Sequence, residues 1–156
     1  MSFNEIYKTY QEKVFRLCMG FVNDKDWAKD IAQDTFITVW QQLPNFRNES
    51  AVGTWIFRIA SNRCLRQIEK EKRFQKTELK HDLPEETPQE IESQTAFLYK
   101  CISELSETDR IIISLELEDI RQAEIANIVG ISEANVRIKI HRIKEKLTIK
   151  FKDHEQ

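Results

Sequence analysis

Between Gln122 and Lys144 the chain reads QAEIANIVGISEANVRIKIHRIK, a pattern that fixes two helices and the angle between them. Small or apolar residues fall at Ile125, Ala126, Val129, Ile131, Val136 and Ile140, the offsets that hold one short helix across another. Gly130 occupies the turn, where a left-handed backbone costs glycine little. Ser132 then stands where a side-chain oxygen can cap the second helix. A helix-turn-helix needs this order: a small residue at the crossing, a permissive turn and a capped second helix.

Unrolled at 100° per residue, the second helix stacks Val136, Ile140, Ile143 and Leu147 on one side. Ala134, Ile138 and His141 lie opposite, flanked by Arg137 and Arg142. A small residue near the helix start lets that end enter a DNA major groove. Arg137 and Arg142 can reach phosphate or the O6/N7 pair of guanine, and Ile138 can touch a thymine methyl. The plainer alternative is an amphipathic helix with a solvated Lys/Arg side, which leaves Ile138 without a reason to face water.

The rest of the chain obeys a helical period. Phe3, Ile6, Tyr7, Tyr10, Val14, Leu17, Cys18 and Phe21 recur at three and four. Asn23 and Asp24 interrupt the pattern and offer a cap for a second helix, which carries Trp27, Ile31, Thr35, Val39 and Leu43 on one side and ends at Pro44. Ser50 is the expected N-cap of a third helix, from Ala51 to about Arg73. Residues 74–95 are acidic, contain Pro84 and Pro88 and lose the period, and so read as a tether. Helical spacing returns from Ala96, and Ser106 and Asp109 frame the start of a further helix. With only 3 Gly and 3 Pro in 156 residues, the expected fold is all-α: two small helical domains, 1–73 and 96–156, joined by the linker 74–95.

The formal net charge of −2 argues against nucleic acid only on average. From Ala134 to Lys152 there are seven basic residues and one acid. A second basic concentration closes the first half, where Arg58, Arg63, Arg66, Lys70, Lys72 and Arg73 oppose Glu69 and Glu71. Local patches, not net charge, decide where a phosphate backbone binds. Cys18, Cys64 and Cys101 are distant and odd in number, which argues against a disulfide framework or zinc knuckle and for reduced, buried thiols in a cytoplasmic protein. The sequence shows neither a membrane-length apolar run nor a secretory leader.

Two further surfaces carry chemistry. On the second helix Asp30, Gln33, Asp34, Ile37 and Gln41 fall away from the apolar stripe. An acidic, amide-bearing face with one exposed Ile suits protein docking, though a merely solvated face has the same spacing. Trp55 and Phe57 open the third helix, just after a polar loop containing Phe46. Aromatics interleaved with cations suit unstacked bases, which stack on rings while cations hold the backbone. Trp55 fits a core position equally well, and Phe57, Trp27 and Trp40 are read as core.

In this order the blocks resemble the extracytoplasmic-function (ECF) family of bacterial RNA polymerase sigma factors. The family's acidic helix D-x-x-Q-[DE]-x-F-x-x-[VL]-[WF] is matched by Asp30, Gln33, Asp34, Phe36, Val39 and Trp40. Its loop-and-helix signature is matched by Phe46, Ser50, Thr54, Trp55, Ile56, Phe57, Arg58, Ile59, Ala60 and Asn62. Its helix-turn-helix pattern is filled by Glu124 to Ala126, Gly130 to Ser132, Val136, Arg137, His141, Arg142, Lys144 and Leu147. The resemblance implies roles by position. Asp30, Gln33, Asp34, Ile37 and Gln41 would dock on the coiled coil of the polymerase's largest subunit. Phe46, Arg47, Asn48, Glu49 and Ser50, with Trp55, Arg58, Asn62, Arg63 and Arg66, would capture a flipped base and the melted strand of the minus-ten element. Ser132, Glu133, Ala134, Asn135, Arg137, Ile138, Lys139, His141 and Arg142 would read the minus-thirty-five element as duplex.

It also implies core RNA polymerase, promoter DNA and an anti-sigma factor as partners, and no cofactor. Gly53 departs from the pattern, standing where a basic residue often precedes Thr-Trp, and Ile138 and Lys139 stand where a small polar residue and Arg are commoner. Glu116, Glu118 and Asp119 make the lead-in helix acidic, for which docking onto the polymerase flap is one outlet. No paired acid/base groups, nucleophile arrangement, metal cluster or phosphate-cradling loop is legible, so the chain reads as a non-enzymatic, monomeric initiation factor. A stand-alone helix-turn-helix regulator would leave the docking helix and the aromatic-basic third helix unused. A protein-only adaptor would leave the recognition helix unused.

Overall fold

The computed structural model describes residues 2–75 and 90–155, arranged as seven α-helices: α1 (Phe3–Val22), α2 (Lys25–Gln42), α3 (Val52–Gln75), α4 (Glu90–Ser103), α5 (Glu107–Leu117), α6 (Gln122–Val129) and α7 (Glu133–Glu155). The fold is all-α, as the periodicity predicts, and no strand occurs among the described residues. Residues 76–89, the centre of the expected tether, lie outside the described residues. Its two ends are helical, since α3 runs to Gln75 and α4 already begins at Glu90.

Local chemistry sets most helix ends. Ser2 caps α1 by accepting from the Glu5 N–H, and Asn23 ends it in a left-handed conformation at φ 50°. Asp24 then accepts from the Trp27 N–H at 2.9 Å, so one dipeptide closes α1 and opens α2. Pro44 cannot extend α2, and the chain passes into a single 3₁₀ turn at Leu43–Asn45. Ser106 caps α5 by accepting from the Asp109 N–H at 3.3 Å.

Ser50 does not cap α3. The Ala51 carbonyl accepts the first helical bond, from Trp55 N–H at 3.1 Å, so Ala51 holds the cap position. The Ser50 hydroxyl, one residue too early, donates to the Ala51 carbonyl at 3.4 Å instead.

The first three helices pack mutually around Val14, Leu17, Phe21, Ile31, Val39, Ile56 and Phe57, all essentially removed from solvent. Burying side chains of this size contributes about 1.5–3 kcal/mol each before the entropic cost of ordering them. The second core gathers Ile102, Ile111, Ile112, Leu115, Ile125, Val136, Ile140 and Ile143 from α4 to α7. The two cores meet, because α1 packs on α4 and α5, and α3 packs on α6.

Three features hold that junction. At Gly20 a Cβ would stand 2.2 Å from Ser114 Oγ and 3.3 Å from Ser114 Cβ, so α1 and α5 cross where only hydrogen fits. Arg110 on α5 donates to the Phe21 carbonyl at 2.9 Å, capping the last turn of α1, and lies 5.1 Å over the Phe21 ring. Arg16 donates to both Glu118 carboxylate oxygens through the Nε–Nη2 edge of its guanidinium, the Nη2–Oε2 distance being 2.9 Å.

Candidate nucleic-acid and partner interfaces

Ser132 and Gly130 build the second helix of the helix-turn-helix. Gly130 has φ 79°, and its N–H returns to the Ala126 carbonyl at 2.8 Å. Ser132 Oγ accepts from the Asn135 N–H at 3.1 Å. That frame buries Val136, Ile140, Ile143 and Leu147 and exposes Ser132, Glu133, Ala134, Asn135, Arg137, Ile138, His141 and Arg142 on the outer side of α7. Ile138 is 48% exposed, a large apolar side chain set in a basic face. Lys139 differs from its neighbours: it is partly covered and lies 3.7 Å from Asp109 on α5. His141 pairs with Glu145 one turn on, at 3.0 Å.

Two of the three lead-in acids have internal partners. Glu116 lies 3.5 Å from Lys144, and Glu118 is taken by Arg16. At the far end of α7, Lys150 pairs with Glu104 at 2.8 Å and holds the Glu104 carboxyl below its usual range, chiefly through that hydrogen bond.

In the first half, the loop after the 3₁₀ turn folds back on α3. Asn48 adopts φ 57°, a left-handed turn that asparagine tolerates. Phe46 stacks on Trp55 with ring centroids 4.4 Å apart and planes at 23°. Trp55 falls between its two readings, partly buried and packed against the core while one face stacks on Phe46, whereas Phe57 is fully buried. Asn45, Phe46, Arg47, Glu49, Ser50, Trp55 and Arg58 line a cavity of about 330 Å³. The sequence-predicted loop residues and the start of α3 thus converge on one concave, aromatic and cationic surface.

The remaining α3 residues divide. Asn62 and Arg66 are exposed. Arg63 turns toward α2 and donates to Thr38 Oγ1 at 2.6 Å, and Arg58 donates across to Asn127 Oδ1 on α6 at 2.9 Å. Gly53 has a packing reason: a Cβ there would stand 3.0 Å from the Tyr10 hydroxyl, so a longer side chain requires the Tyr10 ring to give way.

On α2, Asp30, Gln33, Ile37 and Gln41 are exposed and Asp34 is partly so. The expectation that Trp40 is core fails, since it is 63% exposed, and Trp27 is only half-buried. Trp40 follows Ile37 by three residues and Gln33 by seven, so the three share a side of the helix. Ile37 is itself 54% exposed, which leaves an apolar stripe rimmed by amides and acids. Sequence reasoning also missed Asn127 and Arg110, whose partners lie 69 and 89 residues away. Among the described residues no group of His, Cys, Asp or Glu is placed to hold a metal ion, and no helix is long and apolar enough to cross a membrane.

Comparison with known proteins places both halves. Residues 6–74 match the family model for sigma-70 region 2, and residues 98–147 match that for sigma-70 region 4. The chain is 30% identical to the RNA polymerase sigma-H factor of Pseudomonas aeruginosa, over 92% of this chain and 83% of that protein. It is likewise 30% identical to the ECF RNA polymerase sigma-E factor of Escherichia coli, with the same coverage of each. Among solved structures, the sigma factor RpoE, crystallised with the anti-sigma factor NepR from Bartonella quintana, has the same fold. It gives a TM-score of 0.83 at 20% identity, covering 96% of each chain.

Proposed function

Because the chain belongs to the ECF family of RNA polymerase sigma factors, we propose that it binds core RNA polymerase, carries it to selected promoters and helps melt them. Residues 1–73 serve as the docking and minus-ten unit, 74–95 as the linker and 96–156 as the minus-thirty-five unit. The observation that carries this reading is the cavity in which Phe46 and Trp55 stack beside Arg47 and Arg58. A ring pair with flanking cations fits an unstacked base and its phosphates, and a duplex-reading regulator has no use for one.

Roles follow from placement. The stripe of Gln33, Ile37, Trp40 and Gln41, with Asp30 and Asp34, docks on the polymerase. An anti-sigma factor silences the protein by covering the same stripe, whose exposed Ile37 and Trp40 favour burial against a partner. The outer face of α7 enters the major groove, with Arg137 and Arg142 as its cations and Ile138 as its apolar contact. Lys139, directed at Asp109, supports the helix and does not read bases. No step of bond chemistry is required of the protein: melting is driven by binding, since unstacking a base costs a few kcal/mol that stacking and phosphate contacts offset. The protein acts in the cytoplasm, with no cofactor.

Run-off transcription with purified core polymerase on a pool of genomic promoters tests this. Discrete start sites should appear with the protein and vanish with Asp34→Arg or Arg137→Glu. Specific duplex binding without any new transcript would instead establish a stand-alone regulator.

A further inference from the structure

The cavity beside Phe46 and Trp55 holds one group that a phosphate-binding surface does not need. Arg47 and Glu49 both line it, on either side of the left-handed turn at Asn48, so a carboxylate stands among the cations. Glu49 is exposed, and among the described residues no side chain pairs with it. Arg58, on the same cavity, turns an N–H toward Asn127 instead. A free carboxylate repels the phosphates of a strand, so on this face it weakens binding unless the base itself uses it.

The bases differ in whether they can. An ionised carboxylate only accepts hydrogen bonds. A base turned out of its stack is read on its Watson–Crick edge, where cytosine, adenine and guanine each carry an exocyclic amino group. Thymine carries none: its ring N–H lies between two carbonyl oxygens, and a carboxylate repels both. The acceptors on the amino-bearing edges can be met by the Asn45 amide and by the guanidinium groups of Arg47 and Arg58. At about 330 Å³ the cavity lies at the lower end of the range for small-ligand sites and has room for one base.

We propose that Glu49 sets the base preference of this cavity: it takes a base bearing an exocyclic amino group, which donates to the Glu49 carboxylate, and it rejects thymine. The inference rests on the proposed flipped-base role of the cavity and adds the class of base. Phe46 and Trp55 offer a stacking face that any base can use, so the rings alone give no such selection.

The test uses the full chain bound to purified core polymerase, with premelted promoter duplexes as the probe and competition filter binding as the readout. Each nontemplate position of the minus-ten element is varied through the four bases. Deoxyuridine is also set against deoxycytidine, because it replaces the amino group by a carbonyl. The position whose base ceases to matter in Phe46→Ala protein is the one that the cavity holds. There, at least one amino-bearing base should bind about fivefold or more tightly than thymine, the low end of a specific base contact. Deoxyuridine should bind as thymine does. In Glu49→Gln protein the carboxamide both donates and accepts, so the ratio should fall to within about twofold. Loss of the charge itself raises affinity for every template alike and leaves the ratio unchanged, so only a base contact moves it.

Thymine bound as tightly as the other bases at a Phe46-dependent position overturns the role of Glu49 and leaves the flipped-base cavity standing. So does a preference against thymine that Glu49→Gln preserves. If no position of the element depends on Phe46, the cavity holds no base, and both proposals for it fall.

Discussion

Replacing Phe46 with alanine removes one ring of the pair that lines the cavity beside Arg58. The pair is offset-stacked at 4.4 Å and lies at the surface, so its loss costs the first half about 0.5–1.5 kcal/mol of ring pairing plus the little area that a half-buried ring covers. The first core, built on Phe21, Phe57 and the aliphatic residues between them, is untouched and the domain stays folded. The cost to function is larger. Stacking a base on an aromatic side chain is worth about 1–3 kcal/mol, so promoter opening at limiting protein should fall by about 5- to 150-fold. Phe46→Tyr keeps the ring and should stay within about threefold of the unaltered protein, a difference under ~1 kcal/mol. Permanganate reactivity of thymines in the minus-ten region measures opening directly, and filter binding of closed complexes at low temperature separates it from duplex recognition. Phe46→Ala protein that is folded by circular dichroism, yet opens promoters as well as the unaltered protein, would refute the assignment of this cavity to a flipped base.

Salt dependence should distinguish the two sides of α7. Arg137→Gln removes an exposed cation of the proposed duplex-binding face and should lower the slope of log K against log salt for duplex binding by about 0.9, whereas Lys144→Gln, whose cation lies by Glu116, should leave that slope unchanged. Gly130→Ala places an L residue at φ 79° with nothing within 4 Å of the new Cβ, so the whole cost is backbone, about 1–2 kcal/mol in urea unfolding. Gly130→Asn should cost less, because asparagine tolerates this conformation, and an equal cost would show the turn to be something else. The Cys18 thiol is held protonated well above its ordinary range by its contact with Cys64 at 3.9 Å, and then by burial. Its folded pKa being raised, the stability it contributes is complete below an unfolded thiol pKa of about 8.5 and is lost as pH rises through the folded value. The urea midpoint should therefore fall more steeply above that pH than in Cys18→Ala protein, and maleimide should not label either thiol without denaturant.

What the sequence revealed, and what it hid, divides by the range of the interaction. The outer and inner faces of α7 were legible because a 3.6-residue period and a capped start determine which side chains share a side, and burial follows. The Asn23–Asp24 junction was legible for the same reason, since capping involves neighbours only three residues apart. Trp40 was misread from its residue type, although its angle was available: five residues beyond Thr35, it lies about 140° round the helix from that buried position. Ser50 was misread because a cap depends on where the loop delivers the chain, and the left-handed turn at Asn48 lies in that loop. The destinations of Arg58, Arg63 and Arg110 had no periodic signal. A long cationic side chain at the surface has several acceptors within reach, and only the assembled fold selects one.

The negative net charge of a DNA-binding chain is resolved by the placement of its acids. Asp109, Glu116 and Glu104 face the basic residues of α7 that point inward or along its flank, Lys139, Lys144 and Lys150. Pairs this exposed contribute at most about 1 kcal/mol each, so they do not explain why the fold holds together. Their effect is on the field. Each carboxylate cancels a cation that could otherwise attract phosphate to the wrong side of the helix, where a duplex would meet α5. Among the described residues no carboxylate pairs with Arg137 or Arg142, and both stand on the side that the turn at Gly130 presents outward. The Arg16–Glu118 pair extends the same arrangement to the junction of the halves, where an unpaired Glu118 would repel a nearby strand. Acids and bases that sum to nearly nothing over the chain are thus sorted largely by face, and the face proposed to meet the duplex is the more basic one.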